Sequence, residues 1–349
     1  MVLAKIDRSY NKVSRYGSAV GRVMVRESTL LSRQEVERML YPDYDEALGV
    51  SHDTAYGPYL EDAAVPADIE SGLESFLEEQ YRFLDEACSG TLIARFMRMK
   101  YDYHNLRVLA KRDFLGGEDG ERLFSKLGLV SVEVLEQAVN GVGSPDIPAD
   151  LRGAVEKVRV AGSSGEADSQ LFDSLVDRAF FEGRLLTARQ EGSRPLVKYC
   201  RCAVDVANLM VMLRGLEFAK DPSFYAVALA EGGEFPRTEL LSLAGRPFTE
   251  VSARFLNSRY GTMVAQVLDE GAESVRLTSL DRTTDDCLME KVVGFANVSV
   301  GPERVVRYML TRETEVAILR IVFVGKLNSL SPAVIETRLP LGYLKAGSV

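Results

Sequence analysis

The segment KYDYHNLRVLAKRDFLGG, residues 100–117, carries the pattern that decides the fold of this 349-residue chain. Two later segments resemble it, YCRCAVDVANLMVMLRGLEFAKD at residues 199–221 and TRETEVAILRIVFVGKLNSL at residues 311–330. In each, an acidic residue stands three positions before an Asn or Ile, and a Leu follows directly. Because apolar residues recur at helical spacing in all three, each is predicted to be a long helix. We call them the signature helices.

Internal repetition extends beyond these helices. The acidic residues Asp102, Asp205 and Glu315 are separated by nearly equal intervals. Residues 31–57 also align without a gap with residues 235–261, and both windows end in Tyr-Gly. The middle of the chain lacks a clear copy of that Tyr-Gly element. Repetition at a long period predicts one supersecondary unit used several times. We therefore predict an all-α fold of three similar helical lobes, at residues 1–116, 117–220 and 221–349.

Helix-end signals support the all-α prediction. Ser32 followed by Glu35 is typical of a capping box and predicts a helix that begins at Arg33. Pro302, directly after Gly301, is typical of the first turn of a helix. Helical periodicity at residues 67–87, 168–190 and 279–293 precedes each signature helix, so a helical hairpin is predicted in each lobe.

Composition limits the function. The net charge is −9, so an acidic surface would repel nucleic acid, and no nucleic-acid partner is expected. No segment has the length and apolarity of a membrane span or of a secretion signal. The four cysteines form no CxxC pair and are predicted to be buried thiols in a reducing, cytoplasmic compartment.

The polar residues of the signature helices are the candidate site. An acid and a residue three positions later share one helical face. One interpretation places them around a shared opening, in contact with a partner; the other has them bond neighbouring loops inside each lobe, as buried polar groups require. The candidates for either role are Asp102, Asn105, Arg107, Asp205, Asn208, Glu315 and Arg320. The second helix has Met210 where the others have Arg, so no three-membered anion site is predicted.

Catalytic motifs are not found. Gly325-Lys326 is followed by Leu327 within a predicted helix, so it lacks both the chemistry and the position of a phosphate-binding loop. The two histidines, His52 and His104, accompany neither a nucleophile elbow nor a metal-ligand spacing. We predict no active site, no cofactor and no metal.

The order of these motifs resembles the V/A-type ATPase C/d subunit family, in which d is the eukaryotic form, over nearly the whole chain. The matching C-terminal residues are Gly301-Pro302, Glu313, Glu315, Leu319-Arg320, Gly325-Lys326-Leu327 and Pro332. The matching N-terminal residues are Leu30-Leu31-Ser32, Thr54-Ala55-Tyr56-Gly57 and the run Tyr101-Asp102-Tyr103-His104-Asn105-Leu106. The family has Asn before the last Leu-Arg pair where this chain has Ile318, so a symmetric ring of Asn residues is not expected.

The resemblance implies a three-lobed helical funnel with pseudo-threefold symmetry. Such a subunit is a non-catalytic part of the central stalk. It links the rotor shaft to the membrane rotor ring on the cytoplasmic face of the membrane and transmits torque for ATP-coupled proton or sodium transport. It is a peripheral monomer within a hetero-oligomeric complex and has no membrane span of its own.

Two other hypotheses are open from the sequence. The chain could be a helical-repeat scaffold or adaptor of another cytosolic complex, or an enzyme with a helical fold and an unrecognised active site. Helical solenoid scaffolds repeat every ~33 to 47 residues. The spacing of the signature helices is much longer and favours the rotary-ATPase subunit.

Overall fold

The computed structural model describes residues 2–117, 120, 123–142, 146–165, 167–268 and 275–340, without the side chains of residues 2–13 and 277–281. Over these ranges the fold is all-α, as predicted, with a single isolated β-bridge between Leu268 and Val275. The helices are α1 (Val2–Glu27), α2 (Arg33–Leu40), α3 (Tyr44–His52), α4 (Gly57–Leu60), α5 (Pro66–Ala87), α6 (Ile93–Leu115), α7 (Val132–Val139), α8 (Ala149–Ser163), α9 (Ser169–Glu191), α10 (Arg194–Glu217), α11 (Pro222–Ala228), α12 (Arg237–Leu243), α13 (Phe248–Leu256), α14 (Gly261–Val267), α15 (Leu277–Val293), α16 (Pro302–Leu327) and α17 (Pro332–Arg338).

The predicted helix starts are confirmed. Ser32 accepts a hydrogen bond from the Glu35 N–H, and the Glu35 carboxylate accepts one from the Ser32 N–H, which completes the capping box of α2. Pro302 lies in the first turn of α16. The three signature helices are α6, α10 and α16. No helix in the described ranges is both long and apolar enough to cross a membrane.

The chain divides into two compact units. Unit 1 joins both ends of the chain, residues 1–94 and 285–349, and unit 2 is residues 95–284. The division into three lobes stays a prediction.

Unit 1 is organised around α16. This helix buries apolar side chains on most of its circumference, including Val305, Ile318 and Val322, and packs lengthwise against α5. α1 and α3 cover further parts of its surface, and α17 folds back on its end. The pairing of α5 with α16 brings together residues as far apart in sequence as Gln80 and Tyr308, which are 228 positions apart, and it was not predicted.

The end of α16 explains why Gly325-Lys326 resembles a nucleotide-binding motif. A side chain at position 325 would come within 2.9 Å of the Ile335 side chain, so glycine lets α17 approach closely. The Lys326 ammonium donates to the backbone oxygens of Leu40 and Pro42, where α2 ends. Partial burial lowers the pKa of Lys326. Both residues therefore hold helices together.

Unit 2 contains the predicted hairpin of α9 and α10. Gly192, with φ +78°, ends α9 in the left-handed conformation, and Ser193 caps the start of α10 by accepting the Leu196 N–H. Two residues separate the helices, so they pack antiparallel. α8 packs on α9, and the core of this part is formed by Leu106, Leu135, Val158 and Phe172 with their neighbours.

The cysteine prediction is partly wrong. Cys88, Cys200 and Cys202 are buried free thiols, but Cys287 is only partly buried. Cys287 lies on α15, and helical periodicity alone did not distinguish its position from the buried face.

The capping box gives a first test of the fold. Ser32→Ala removes the acceptor for the Glu35 N–H and is expected to lower the free energy of unfolding by about 1 kcal/mol, measured by urea denaturation. Ser71→Ala, at an exposed position inside α5, is the control and should leave stability unchanged or raise it by a few tenths of a kcal/mol. Equal effects of the two variants would contradict a capping role for Ser32.

Candidate functional site

The acids of the signature helices are buried. Asp102 is 2% exposed, and Asp205 and Glu315 are both 0% exposed. A buried carboxylate is stable only when hydrogen bonds replace its lost hydration. In all three cases a loop of the same unit supplies one or two backbone N–H groups. We call each carboxylate with its loop a carboxylate clamp.

The first clamp joins α6 to the loop before α7. Asp102 Oδ1 accepts the N–H groups of Leu129 and Val130 at 2.8 and 3.0 Å. One turn along α6, the Asn105 side chain forms two bonds to one residue of the same loop: Nδ2 donates to the Ser125 carbonyl, and Oδ1 accepts the Ser125 N–H. The loop is therefore fixed to α6 at two points.

The second clamp repeats this geometry on α10. Asp205 Oδ1 accepts the N–H groups of Glu234 and Phe235 at 2.8 and 3.0 Å. The Asn208 side chain again makes both bonds to one residue, Ala230, at 2.9 Å to its carbonyl and 2.8 Å from its N–H. The loop after α11 is therefore held to α10 in the same way.

A tyrosine completes the second clamp. The Tyr260 hydroxyl donates to Asp205 Oδ2 at 2.8 Å, and Arg259 donates to that hydroxyl. Tyr260 is the residue of the Tyr-Gly element that the sequence repeat singled out. Its hydroxyl supplies the second carboxylate oxygen with a donor.

The third clamp joins the last signature helix to the N-terminal part of unit 1. Glu315 Oε1 accepts the Leu31 N–H at 2.6 Å, and Oε2 accepts the Tyr56 hydroxyl at 2.7 Å. The buried Arg312 also donates to Oε2, at 2.8 Å. Leu31 and Tyr56 align with Phe235 and Tyr260 in the sequence repeat, so the repeated residues are the ones that form the clamp.

Ile318 takes the place of Asn in the third clamp, and Arg312 supplies the missing donors. The Arg312 guanidinium donates to the carbonyls of Thr29 and Arg26, at 3.0 and 3.3 Å. These carbonyls lie in the segment that leads into Leu31. Sequence reasoning missed Arg312, because three residues before the acid the other signature helices have Met99 and Cys202 rather than a cation.

Two glycines were also missed. A side chain at Gly128 or Gly233 would come within 2.5 and 2.2 Å of the Oδ1 atom of Asp102 and Asp205, respectively. Each glycine stands two residues before the last N–H donor of its clamp. Gly128 follows its acid by 26 residues and Gly233 by 28, so no fixed spacing in the sequence marked them.

The two signature arginines have a different role. Arg107 forms ion pairs with Asp173 and Asp177 of α9, and Arg320 pairs with Glu70 of α5 at 2.8 Å. These pairs are partly exposed and contribute little to stability. They link each signature helix to the neighbouring long helix of its own unit.

Burial sets the electrostatics of the clamps. It raises the pKa of Asp102 to about 6, although the N–H groups of Val130 and Leu129 act in the opposite direction. Burial also raises the pKa of Asp205, again opposed by its hydrogen-bond donors. The Tyr56 and Tyr260 hydroxyls have raised pKa values, mainly because they are buried, and so act as donors at neutral pH.

A cavity of about 770 Å³ lies in unit 2 beside the first two clamps, lined mainly by α6, α9 and α10. Arg107 and Asn208 line it, together with Ser125 and Ala230, the loop residues that the two Asn side chains hold. The sequence did not predict the cavity, because its walls come from several helices whose packing against one another no local pattern gives. In the described part of the chain, no three His, Cys, Asp or Glu side chains are grouped as metal ligands.

Known proteins share this chain's sequence pattern over most of its length. The family model described as ATP synthase (C/AC39) subunit matches residues 19–338. The C subunit of the V-type sodium ATPase of Enterococcus hirae is 26% identical, and the match covers 90% of this chain and 94% of the relative. The C subunit of the A-type ATP synthase of Methanocaldococcus jannaschii is 21% identical (97% and 89% covered), and that of Haloferax volcanii is 26% identical (92% and 96% covered).

The close approach of Gly233 to Asp205 gives a test of the second clamp. Gly233→Ala places a methyl group against the carboxylate and should lower the free energy of unfolding by about 1–3 kcal/mol in urea denaturation. Gly153→Ala in α8, where a methyl group meets nothing within 4 Å, should raise it by up to about 1 kcal/mol, because alanine favours helix. A Gly233→Ala protein as stable as wild type would refute the tight clamp.

The raised pKa of Asp102 predicts a pH dependence. Its pKa is about 6 in the folded chain against an ordinary 3.8, so folding favours the protonated form of this carboxyl group. The stability that this preference contributes is fully present below about pH 4 and is lost as the pH rises through 6. Asp102→Asn removes this titration. The difference in free energy of unfolding between variant and wild type should therefore shift in favour of the variant between about pH 4 and pH 7, by roughly 1–3 kcal/mol.

Asp221→Asn is the control of opposite sign. The carboxylate of the N-cap residue Asp221 accepts hydrogen bonds from Ser223, which lower its pKa, so this variant should lose stability relative to wild type as the pH rises. Parallel pH profiles for the two variants would contradict the assignment for Asp102.

Proposed function

The chain belongs to the ATP synthase (C/AC39) subunit family, and from this membership we propose that it is the non-catalytic central-stalk subunit of a V/A-type rotary ATPase. In this role it links the central rotor shaft to the membrane rotor ring and transmits torque for ATP-coupled proton or sodium transport. It would be a peripheral protein on the cytoplasmic face of the membrane, held there through the ring.

The observation that carries the proposal is the extent of the family match. Residues 19–338 include all three signature helices and their clamps. The relatives are named as C subunits of V-type and A-type enzymes and match over nearly their full lengths. The family match therefore covers nearly the whole chain.

We further propose the three-lobed funnel, with lobes at residues 1–116, 117–220 and 221–349. Support comes from the repeated clamp, since one device occurs on α6, α10 and α16, in each case an acid that holds a loop from which another helix begins. In the third clamp the Leu31 N–H donates to Glu315, so this copy of the device is built from residues near both ends of the chain. Three similar helices, each fixed to a loop, suit a socket lined by equivalent walls.

The clamps suit the mechanical role. A part that transmits torque must resist deformation, and loops are normally the most mobile segments of a fold. Here Asp205 and Asn208 tie the loop after α11 to a long helix by four hydrogen bonds to its backbone. An acidic chain of this kind would contact ring and shaft proteins rather than anionic lipid.

Co-purification from native membranes tests the proposal. The tagged full-length chain is expected to recover the head, shaft and ring subunits of a rotary ATPase, identified by mass spectrometry. Ionic strength should be kept low during extraction, because contacts between charged surfaces weaken with salt. An untagged strain provides the background.

Recovery of an unrelated complex, with no rotary-ATPase subunit above that background, would reject the central-stalk role and favour the scaffold hypothesis.

A further inference from the structure

The three clamps differ at the second oxygen of the carboxylate. In the second clamp Asp205 Oδ2 accepts the Tyr260 hydroxyl at 2.8 Å. In the third, Glu315 Oε2 accepts the Tyr56 hydroxyl at 2.7 Å. In the first clamp both hydrogen bonds go to Oδ1 of Asp102, and no donor in the described part of the chain reaches Oδ2. Asp102 is only 2% exposed, so its second oxygen has lost most of its hydration without a replacement.

The sequence repeat explains this difference. Both hydroxyls belong to copies of the Tyr-Gly element, Tyr56-Gly57 and Tyr260-Gly261. The middle of the chain has no clear copy of that element, and the loop that Asp102 holds lies there. The gap in the repeat and the missing donor therefore coincide.

Side chains of α6 hold this loop, residues 123–130, which we call the latch loop. The hydrogen bonds between α6 side chains and the loop backbone are those of His104 with the Leu123 carbonyl, Arg98 with the Leu127 carbonyl, Asn105 with both groups of Ser125, and Asp102 with the N–H groups of Leu129 and Val130. The two bonds to Asp102 hold the end of the loop that leads into α7.

Ionisation of Asp102 opposes the closed position of the latch loop. A carboxylate that is buried with too few donors is unfavourable, and burial raises the pKa of Asp102 to about 6. The neutral carboxyl group needs less hydration, and its Oδ1 still accepts both N–H groups. The negative form regains hydration when the loop moves away and water reaches Oδ2. Opening of the loop is therefore favoured by ionisation.

Neighbouring charges oppose the effect of burial only in part. Arg98 and Arg95 of α6 favour the negative form of Asp102. Arg95 is also paired with Asp150 of α8, and Arg98 donates to the latch loop itself. Other titratable groups on the elements that meet here include Tyr103 and His104 of α6, Lys126 of the loop, Glu133 of α7 and Glu182 of α9. Burial outweighs the two arginines, so the carboxyl group of Asp102 is neutral at a higher pH than an exposed one.

We propose that residues 123–130 form a pH-sensitive latch on α6, which stays closed while Asp102 is protonated and opens more often when Asp102 is ionised. Opening frees the end of the loop at Leu129 and Val130. It also moves Ser125, which lines the cavity of unit 2, so the shape of the cavity depends on pH. The latch concerns motion within unit 2 and does not depend on the proposed function.

Hydrogen–deuterium exchange of the full-length chain tests the latch. The protection of a peptide that covers residues 123–130 is measured at pH 5 and pH 7, and each exchange rate is divided by the intrinsic rate at that pH. With a pKa of about 6 in the closed state and an ordinary 3.8 in the open state, protection of the Leu129 and Val130 amides should fall roughly tenfold over this interval. Unchanged protection would overturn the proposal.

A peptide from α9, residues 171–190, shows whether the opening is local. Amides that exchange through local opening are less protected than those that require unfolding of a whole unit. The latch loop should therefore be at least about tenfold less protected than α9 at both pH values. Equal protection of the two peptides would show that the loop opens only when unit 2 unfolds, and it would reject the latch.

An acid-to-amide substitution identifies the titrating group. Asp102→Asn keeps the Oδ1 acceptor and cannot ionise, so the protection of its latch loop should differ by less than about twofold between pH 5 and pH 7. Asp221→Asn, at the start of α11, is the matched control and should retain the roughly tenfold fall of wild type. A wild-type fall in folded Asp102→Asn would assign the titration to another group and overturn the proposal.

Gly128→Ala is the second variant if thermal unfolding shows that Asp102→Asn does not fold. A methyl group at position 128 would come within 2.5 Å of Asp102 Oδ1, so it should hold the latch open at both pH values. Protection of the latch loop at pH 5 should then be at least about tenfold lower than in wild type. Wild-type protection at pH 5 in this variant would overturn the proposal.

Discussion

The fold depends on a buried carboxylate that accepts backbone N–H groups from a loop. A carboxylate in the interior is strongly unfavourable unless donors replace its hydration, and a loop N–H without an acceptor is unfavourable for the same reason. The carboxylate therefore requires the loop N–H groups and they require the carboxylate, which fixes the loop where the hydrogen bonds between them form. Asp102, Asp205 and Glu315 set three loops in this way, and the helices that follow those loops begin where the clamps place them.

The three clamps use different side chains to form hydrogen bonds with the backbone groups of their loops. Asn105 and Asn208 each satisfy both backbone groups of one loop residue, whereas Ile318 can satisfy neither. In that clamp Arg312 donates to two carbonyls of the segment before Leu31 and to the carboxylate itself. In all three clamps backbone groups of the loop are satisfied, whereas the side chains that satisfy them differ.

Much of this was accessible from the sequence. Periodicity and capping signals located the signature helices and the start of α2, and the repeat alignment paired Leu31 with Phe235 and Tyr56 with Tyr260. The sequence did not show which helices pack against each other or which way the polar side chains of the signature helices point. Helical periodicity shows that α5 has an apolar face but not that α16 covers it. The pattern of acid and Asn left open whether these side chains point to a partner or to a loop, since that depends on loops that carry no motif. The cavity has walls from several helices and so was beyond any local pattern.

The composition of unit 1 from both ends of the chain has a consequence for biosynthesis. The ribosome delivers α5 long before α16, and at about 5–20 residues per second the interval between them lasts roughly 10–40 seconds. During that time α5 has α1 and α4 to pack against, but the part of its surface that α16 covers has no native partner, so the nascent chain presents a surface suited to chaperones. A product that terminates early lacks α16 and cannot complete this unit. The N-terminal part of the chain therefore reaches its folded state only when the C-terminal part has been synthesised.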